Sequence, residues 1–234
     1  MKRVAIVQSN YIPWRGYFDL LADVDELILL DEVQYTRRDW RNRNKIKLAS
    51  GVQWLTVSVQ VKGKYHQRID ETLIAEPGWA EKHWAILRSA YLRAEGFASY
   101  ETPIREAYEQ ASELSRLSDV NRVLLEVIAD LLGIATRFSW STEFASRDGR
   151  NERLLDLCVA AGATTYVSGP AARSYLDETA FAAGGVDVEW MDYSGYREYP
   201  QLHPPFEHKV SVLDLLFNTG DAAPGYLKHL GAPS

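Results

Sequence analysis

Two short apolar runs near the N-terminus constrain the fold more than any other feature of the sequence. Residues 4–7 read VAIV and residues 26–31 read ELILLD, and between them Phe18, Leu21 and Val24 recur at helical spacing. Uninterrupted apolar runs of this length are typical of strands that are buried on both faces. A strand, a helix and a strand in this order form a βαβ unit with a right-handed crossover. The N-terminal region therefore predicts a parallel sheet.

The rest of the chain continues this pattern around a helical segment. Residues 79–133 show three stretches of helical periodicity. We expect an α/β fold with a mostly parallel, Rossmann-like sheet and a helical segment inserted in the middle of the chain. The expected parts are 1–75 and 134–234 for the α/β domain and 76–133 for the helical segment, in one compact unit. Further strands are predicted at 52–61, 134–141, 164–169 and 186–193, and a late helix at 211–218.

Composition restricts the class of protein. The chain has 234 residues, 46% of them apolar and 25% charged, which suffices for a buried core. Its single cysteine, Cys158, excludes a disulfide framework, and the dispersed histidines carry no metal signature, so no metal site is expected. The net charge of -6 disfavours membrane surfaces and nucleic acids as partners. Because no signal peptide or membrane span is recognisable, we expect a cytoplasmic protein.

The charge is unevenly distributed along the chain. Residues 37–47 contain six basic side chains and one acidic side chain, a local charge of +5 that leaves -11 for the remainder. A basic segment on an acidic body indicates an anionic small ligand or a phosphate group. Arginines interleaved with Tyr35 and Trp40 suit a nucleotide-like ligand, because guanidinium groups bind phosphates and stack on aromatic rings. The alternative is a solvated loop or strand face.

Polar and aromatic residues follow three of the predicted strands. Ligands of open α/β sheets bind at the carboxyl ends of the strands, so we expect the loops that begin at Gln8, Asp31 and Ser168 to meet in one site. Gly16 would allow close backbone approach of a ligand beside a helix N-terminus. With two polar residues from the C-terminal region, the candidate binding residues are Gln8, Asn10, Tyr11, Pro13, Trp14, Gly16, Gln34, Tyr35, Arg37, Arg41, Asn42, Arg43, Lys45, Ser168, Gly169, Arg173, Tyr175, Tyr199 and Gln201.

Each loop also has a structural explanation. Pro13 and Trp14 could fill a buried loop, and Asn10 could form an Asx-turn. The stretch from Ser168 to Pro170 could be a turn with a helix cap. Asp31 could pair with an arginine of the basic segment.

Four segments resemble successive blocks of the WbqC-like proteins: QSNYIPWRGYFDLL, LLDEVQYTRRDWRNRNKIK, YVSGPAARSYLDETAF and YPQLHPPFEHKVSVLDLLFNTG. The resemblance spans nearly the whole chain. It implies a role in O-antigen or other polysaccharide biosynthesis, where glycine or aminoacyl transfer has been proposed. A second similarity, in the strand, PWRGY, helix and strand, is to the nucleotidylyltransferase-like superfamily. Trp14–Tyr17 takes the place of its H-x-G-H motif, with the glycine retained and both histidines missing.

The expected function is that of a transferase or ligase. It would attach a small acyl or aminoacyl group, such as glycine, to an amine on a sugar or natural-product scaffold, with ATP and Mg²⁺ activating the carboxylate. Asp31 and Asp177 are the candidate catalytic residues, as general bases, and the arginines would neutralise charge on the phosphates.

Two alternatives remain open. The first is a nucleotidyltransferase that acts on a sugar phosphate, and the second is a non-catalytic nucleotide-sugar or glycan binding protein. In each case the partner is a small anionic or sugar-like molecule. The net acidity disfavours an RNA partner, although a tRNA-linked aminoacyl donor stays open.

Overall fold

A computed structural model describes residues 1–231, so the last three positions of the predicted C-terminal part, 232–234, lie outside the described residues. The strands in this range are β1 (Arg3–Val7), β2 (Glu26–Leu29), β3 (Arg43–Leu48), β4 (Gly51–Thr56), β5 (Arg137–Trp140), β6 (Thr165–Ser168) and β7 (Asp187–Trp190). The α-helices are α1 (Arg15–Ala22), α2 (Trp79–Tyr91), α3 (Phe97–Ser112), α4 (Leu117–Leu131), α5 (Arg150–Ala160), α6 (Glu178–Ala183) and α7 (Val212–Thr219).

Five of the strands form one parallel sheet. Their order is β5-β2-β1-β6-β7, and each neighbouring pair is parallel. Numbered along the chain, this is the order 3-2-1-4-5 of the first five strands in a Rossmann fold. The prediction of an α/β fold with a mostly parallel, Rossmann-like sheet is confirmed. The strand order reverses between β1 and β6, so the loops that follow these strands diverge and leave a crevice.

The central strands are apolar throughout because both faces of the sheet are covered. Ala5 and Leu27 pack into a large cluster with α1, the helices α2 to α4 and α7. Val4 and Ile28 point the other way, into a smaller cluster with α5 and α6 that includes Cys158. Alternate residues of one strand thus pack into two different hydrophobic cores. For this reason the sequence shows continuous apolar runs instead of alternating apolar and polar residues.

The helical segment is inserted between β2 and β5, as predicted. The helices α2, α3 and α4 pack on one another in sequence, and α7 packs against α1, α2 and α3. One hydrophobic cluster therefore runs from the central strands through the inserted helices to α7. Among the helices of residues 1–231, none is both long and apolar enough to cross a membrane.

The strand expected at 52–61 is shorter than predicted and lies outside the parallel sheet. It ends at Thr56 and pairs antiparallel with β3, with Trp54 opposite Lys45. Side-chain exposure alternates along β4, which suits a hairpin with one solvent-facing side better than a strand buried on both faces. Half of the basic segment, from Arg43 onward, forms the partner strand.

Gly96 provides a test of the packing between the inserted helices and α7. A Cβ on Gly96 would overlap the backbone of Gly220, and the Gly96 N–H donates to the carbonyl of Phe217 at 2.9 Å. Because backbone cannot yield as a side chain can, Gly96→Ala is expected to lower the free energy of unfolding by about 1–3 kcal/mol. Urea denaturation measures the change.

The matched control is Gly225→Ala, since a Cβ there would have no atom within 4 Å. Its free energy of unfolding should stay within about 0.5 kcal/mol of the wild type. Equal stability of the Gly96 and Gly225 variants would contradict the close approach.

Candidate functional site

A cleft of about 810 Å³ opens at the carboxyl edge of the sheet, between the ends of β1 and β6. This is the point where the strand order reverses, and it is where open α/β sheets bind their ligands. The loops after β1, β2 and β6 all contribute to its lining, so the structure brings together the three loops singled out in the sequence. The predicted residues that line it are Gln8, Asn10, Trp14, Gln34, Arg41, Ser168, Gly169 and Tyr175.

Three arginines give the cleft its charge. Arg41 reaches it from the loop after β2, and Arg150 and Arg153 reach it from the first turn of α5. Asp39 lies 3.8 Å from Arg41. Asp148 lies 3.2 Å from Arg153. Neither carboxylate lines the cleft, and no other carboxylate of residues 1–231 does, so the cleft presents an excess of positive charge.

The sequence prediction missed Arg150 and Arg153. Their signal was a glycine followed by two basic residues three positions apart, a spacing that places both on one face of a helix. Gly149 begins this turn with a φ of 105°. The guanidinium of Arg150 lies 4.5 Å from the ring centre of Tyr175. The Nε of Arg153 is buried and has no hydrogen-bond partner within the described residues.

Asp31 links two loops and does not line the cleft. It is buried, and its carboxylate accepts the backbone N–H of Ser9 at 2.8 Å and the Ser9 hydroxyl at 2.6 Å. The amide of Asn121 on α4 donates to the same hydroxyl at 2.9 Å. Burial raises the pKa of Asp31, and the hydrogen bonds from Ser9 oppose that rise. Because Asp31 borders a separate cavity of about 230 Å³, the geometry gives no support to its role as a general base in the cleft.

Asp177 caps a helix. Its carboxylate accepts the N–H of Ala180 at 3.1 Å, at the start of α6. Its own N–H donates to the side-chain oxygen of Asn151 at 3.0 Å. Asp177 does not line the cleft, whereas Tyr175, two positions earlier, does. This loop therefore contributes an aromatic face to the cleft and no carboxylate.

Tyr11 anchors the first loop in the core. Its hydroxyl lies 2.7 Å from Nδ1 of His83 and 2.7 Å from the hydroxyl of Tyr108, on helices α2 and α3. The side chain of Tyr11 is fully buried. Burial also lowers the pKa of His83 to about 4. Tyr11 is thus a support of the loop and lies out of reach of a ligand in the cleft.

Gly16 makes room for the indole of Trp14. A Cβ on Gly16 would overlap that ring, so the space left by the glycine is filled and is not open to a ligand. The indole packs edge-on against Tyr193, with ring centres 5.4 Å apart, and both rings line the cleft. Arg15 turns into the protein and donates to the carbonyl of Arg197 at 2.7 Å.

Half of the basic side chains of the segment lie on the hairpin. Arg43 and Lys45 lie over the ring of Trp54, 4.2 and 5.1 Å from its centre. Arg37 is exposed and donates to a backbone carbonyl at 3.0 Å. Of the basic side chains in this segment, Arg41 lines the cleft and the others do not. The solvated loop or strand face, which the sequence left open, describes the exposed Arg37 and Arg38, whereas Lys47 is buried and donates to the carbonyl of Pro205.

Tyr199 and Gln201 surround a buried carboxylate away from the cleft. The Tyr199 hydroxyl and the Gln201 amide donate to the same oxygen of Asp214, at 2.7 and 2.8 Å. Tyr91 on α2 donates to the other oxygen at 2.8 Å. Burial raises the pKa of Asp214, and these hydrogen bonds oppose the rise. The cluster holds the C-terminal segment and α7 against the inserted helices.

The remaining predicted residues also lie outside the cleft. Tyr35 and Asn42 are buried, and the Asn42 amide donates to a backbone carbonyl at 2.8 Å. The carbonyl of Pro13 accepts a backbone N–H at the start of α7 at 2.8 Å. Arg173 lies 5.2 Å from the ring centre of Trp190.

Replacing Asp31 separates a structural role from a catalytic one. Asp31→Ala leaves the buried N–H of Ser9 without an acceptor, so the free energy of unfolding should fall by about 1–3 kcal/mol. Asp31→Asn keeps one acceptor oxygen and should cost less. Urea denaturation of both variants measures the difference. An Asp31→Ala protein as stable as the wild type would contradict the structural role.

His83 makes stability depend on pH in a defined window. Its pKa is lowered from 6.5 to about 4 by burial, so the unfolded chain takes up a proton more readily than the folded one. The contribution of neutral His83 to the free energy of unfolding is fully present above a pH of about 6.5 and is lost as the pH falls through about 4. The loss is at most about 3 kcal/mol. His83→Gln should lose this part of the pH dependence in urea denaturation at pH values of about 7 and 4. A parallel decline in both proteins would contradict the assignment.

Comparison with known proteins places the chain in a family. The model of the WbqC-like protein family matches residues 8–226. An uncharacterized protein of Mycobacterium tuberculosis, Rv1507c, is 55% identical over 231 residues, which cover 98% of this chain and 99% of the relative. No solved structure matches the chain. The resemblance carried by the four sequence blocks is confirmed, and this chain belongs to the WbqC-like protein family.

Proposed function

We propose that this protein is a cytoplasmic transferase or ligase that uses ATP to activate a small carboxylate, such as glycine. It then passes the acyl group to an amine on a sugar or natural-product scaffold. The observation that carries the proposal is the cleft at the switch point of the sheet, which Arg41, Arg150 and Arg153 line without any carboxylate of the described residues. Its volume of about 810 Å³ is that of a small-molecule or cofactor site.

The first turn of α5 suits the phosphates of a nucleotide. Arg150 and Arg153 project from this turn, and the free N–H groups of a helix N-terminus add their partial positive charge. A guanidinium group binds phosphate oxygens in bidentate fashion, and the Nε of Arg153 still lacks a partner. The cleft offers Mg²⁺ no carboxylate ligand, so the ion would be held through the oxygens of the nucleotide phosphates.

The first chemical step matches the residues that are present. An oxygen of the substrate carboxylate attacks the α-phosphorus of ATP, and pyrophosphate leaves. Since the attacking carboxylate is already ionised near neutral pH, the step needs positioning and neutralisation of charge instead of a general base. The engagement of Asp31 and Asp177 in structural hydrogen bonds is compatible with such a step.

The second step also proceeds without a carboxylate base from the protein. The amine nitrogen attacks the carbonyl carbon, AMP leaves, and the proton of the amine passes to the departing phosphate or to water. The nucleophile is the neutral amine, and nearby positive charge disfavours its protonated form. The arginines would therefore lower the pKa of the substrate amine, which supports the reaction in a cleft without a carboxylate base.

A nucleotidyltransferase that acts on a sugar phosphate is the second candidate. The attacking phosphate oxygen is also ionised at neutral pH, so the same cleft without a carboxylate favours it. The two candidates differ in their products. The acyl transferase releases pyrophosphate and AMP and forms an amide, whereas the nucleotidyltransferase releases pyrophosphate and retains the nucleotide on the sugar.

Exchange of labelled pyrophosphate into ATP, stimulated by glycine or another small carboxylate, tests the proposal. Arg150→Ala and Arg153→Ala should each lower kcat/KM for exchange by about 100-fold, since each removes a group that neutralises phosphate charge. Arg105→Ala is the matched control. This arginine lies on α3, is half exposed and pairs with Glu109 at 3.5 Å, so its replacement should leave exchange unchanged.

The outcomes separate the three functions. Exchange that depends on a carboxylate supports the acyl transferase, and exchange that depends on a sugar phosphate supports the nucleotidyltransferase. A rise in Tm with ATP or a nucleotide sugar, without exchange on any substrate, would favour the binding protein. If no nucleotide changes the Tm and the arginine variants behave as the wild type, the placement of the site is wrong.

A further inference from the structure

A second pocket of about 260 Å³ adjoins the cleft. Asn10 and Trp14 line both cavities. A ligand in the second pocket is therefore separated from the cleft by no more than a side chain. Its volume suits a single ring better than a whole nucleotide. We term it the side pocket, and its lining residues are Asn10, Pro13, Trp14, Trp40, Asn44 and Lys209.

The exposed indole of Trp40 marks one wall of the side pocket. The side chain of Trp40 is 41% exposed, and it packs against Trp54, with ring centres 5.4 Å apart. The guanidinium of Arg43 lies on Trp54, 4.2 Å from its ring centre. This contact supports the indole pair without covering Trp40. An indole face held in place at the edge of a pocket is a stacking platform for a ring.

The free polar groups of the side pocket are hydrogen-bond donors. Both ends of the Asn44 amide are already bonded to backbone groups, and the side-chain oxygen of Asn10 accepts from Arg41. Within residues 1–231, the Asn10 amide nitrogen and the Lys209 ammonium make no hydrogen bond or ion pair. Glu207 accepts the backbone N–H of Lys209 at 2.9 Å.

An aromatic face with donors along its edge selects for an oxygen-rich ring. The C–H face of a sugar packs on an indole, and the sugar oxygens accept from the amide and ammonium groups. An aromatic ring without acceptor atoms would match the indole and leave these donors unpaired. The positive charge of Lys209 further favours a ring with an anionic substituent.

We infer that the side pocket is the acceptor subsite and that it holds an amino sugar with an anionic substituent such as phosphate. The ring packs on Trp40, and the anionic substituent lies at Lys209. The amine points past Asn10 and Trp14 into the cleft. This direction rests on the proposed function, because the activated acyl group would lie there. The contacts to Trp40 and Lys209 do not depend on it.

The test is a binding measurement without ATP. The seven tryptophans are labelled with nitrogen-15, and each indole signal is assigned from a single Trp→Phe variant. The probes are glucosamine 6-phosphate, glucosamine and tryptamine. Glucosamine 6-phosphate should shift the signals of Trp14 and Trp40. The signals of Trp84 and Trp190, which line neither the cleft nor the side pocket, should stay in place.

Two substitutions assign the contacts. Trp40→Ala should weaken the binding of both sugars by roughly two- to tenfold, the effect of losing one stacked ring. Lys209→Ala should abolish the preference for glucosamine 6-phosphate over glucosamine, whereas the control Lys62→Ala should retain it. Lys62 is an exposed lysine that is absent from the lining of the side pocket.

Binding of tryptamine without either sugar would overturn the assignment in favour of an aromatic ligand. If none of the three probes shifts an indole signal at millimolar concentration, the subsite itself is overturned. Because ATP is absent, sugar binding at Trp40 would stand even if pyrophosphate exchange failed. Exchange that persists in Trp40→Ala, while sugar binding is weakened, would support an acceptor subsite separate from the nucleotide site.

Discussion

The geometry of the cleft depends on one buried carboxylate, that of Asp31. It follows β2, and its two oxygens accept the N–H and the hydroxyl of Ser9, which follows β1. Asn121 on α4 donates both to the Ser9 hydroxyl and to the carbonyl of Arg41, each at 2.9 Å. A charge removed from water is tolerated when every donor is in place. One set of hydrogen bonds therefore fixes two strand ends, the inserted helices and the position of the Arg41 backbone.

The inserted helices support the cleft from behind. No residue of α2, α3 or α4 lines it, within the part of the chain that the structure describes. These helices instead hold Tyr11 of the first loop through His83 and Tyr108. They hold the C-terminal segment through Tyr91 and the carboxylate of Asp214. A parallel sheet needs both faces covered, and here the covering layer also fixes the loops that form the site.

The sequence allowed the fold and the general position of the cleft to be predicted, because both follow from local patterns. Apolar runs located β1 and β2, and the rule for strand ends brought Gln8, Arg41 and Ser168 to one edge. The sequence did not reveal which polar residues are buried. Asp31 resembled a catalytic group at a strand end, yet it accepts from Ser9, whose hydroxyl in turn accepts from Asn121, 112 positions from Ser9. Partnerships between residues so distant along the chain have no local signature.

The cleft concentrates positive charge on three arginines. Arg41 is held by Asn10, Arg150 lies on Tyr175, and Arg153 has Asp148 at its outer edge. These contacts fix the guanidinium groups in place, and the carboxylates that pair with Arg41 and Arg153 do not line the cleft. An anion with several oxygens would find its donors already positioned. Charged side chains of one sign that are held in place around a cleft are typical of sites shaped for a ligand. In a chain with a net charge of -6, three arginines at the switch point of the sheet support the proposal that the cleft binds the phosphates of a substrate.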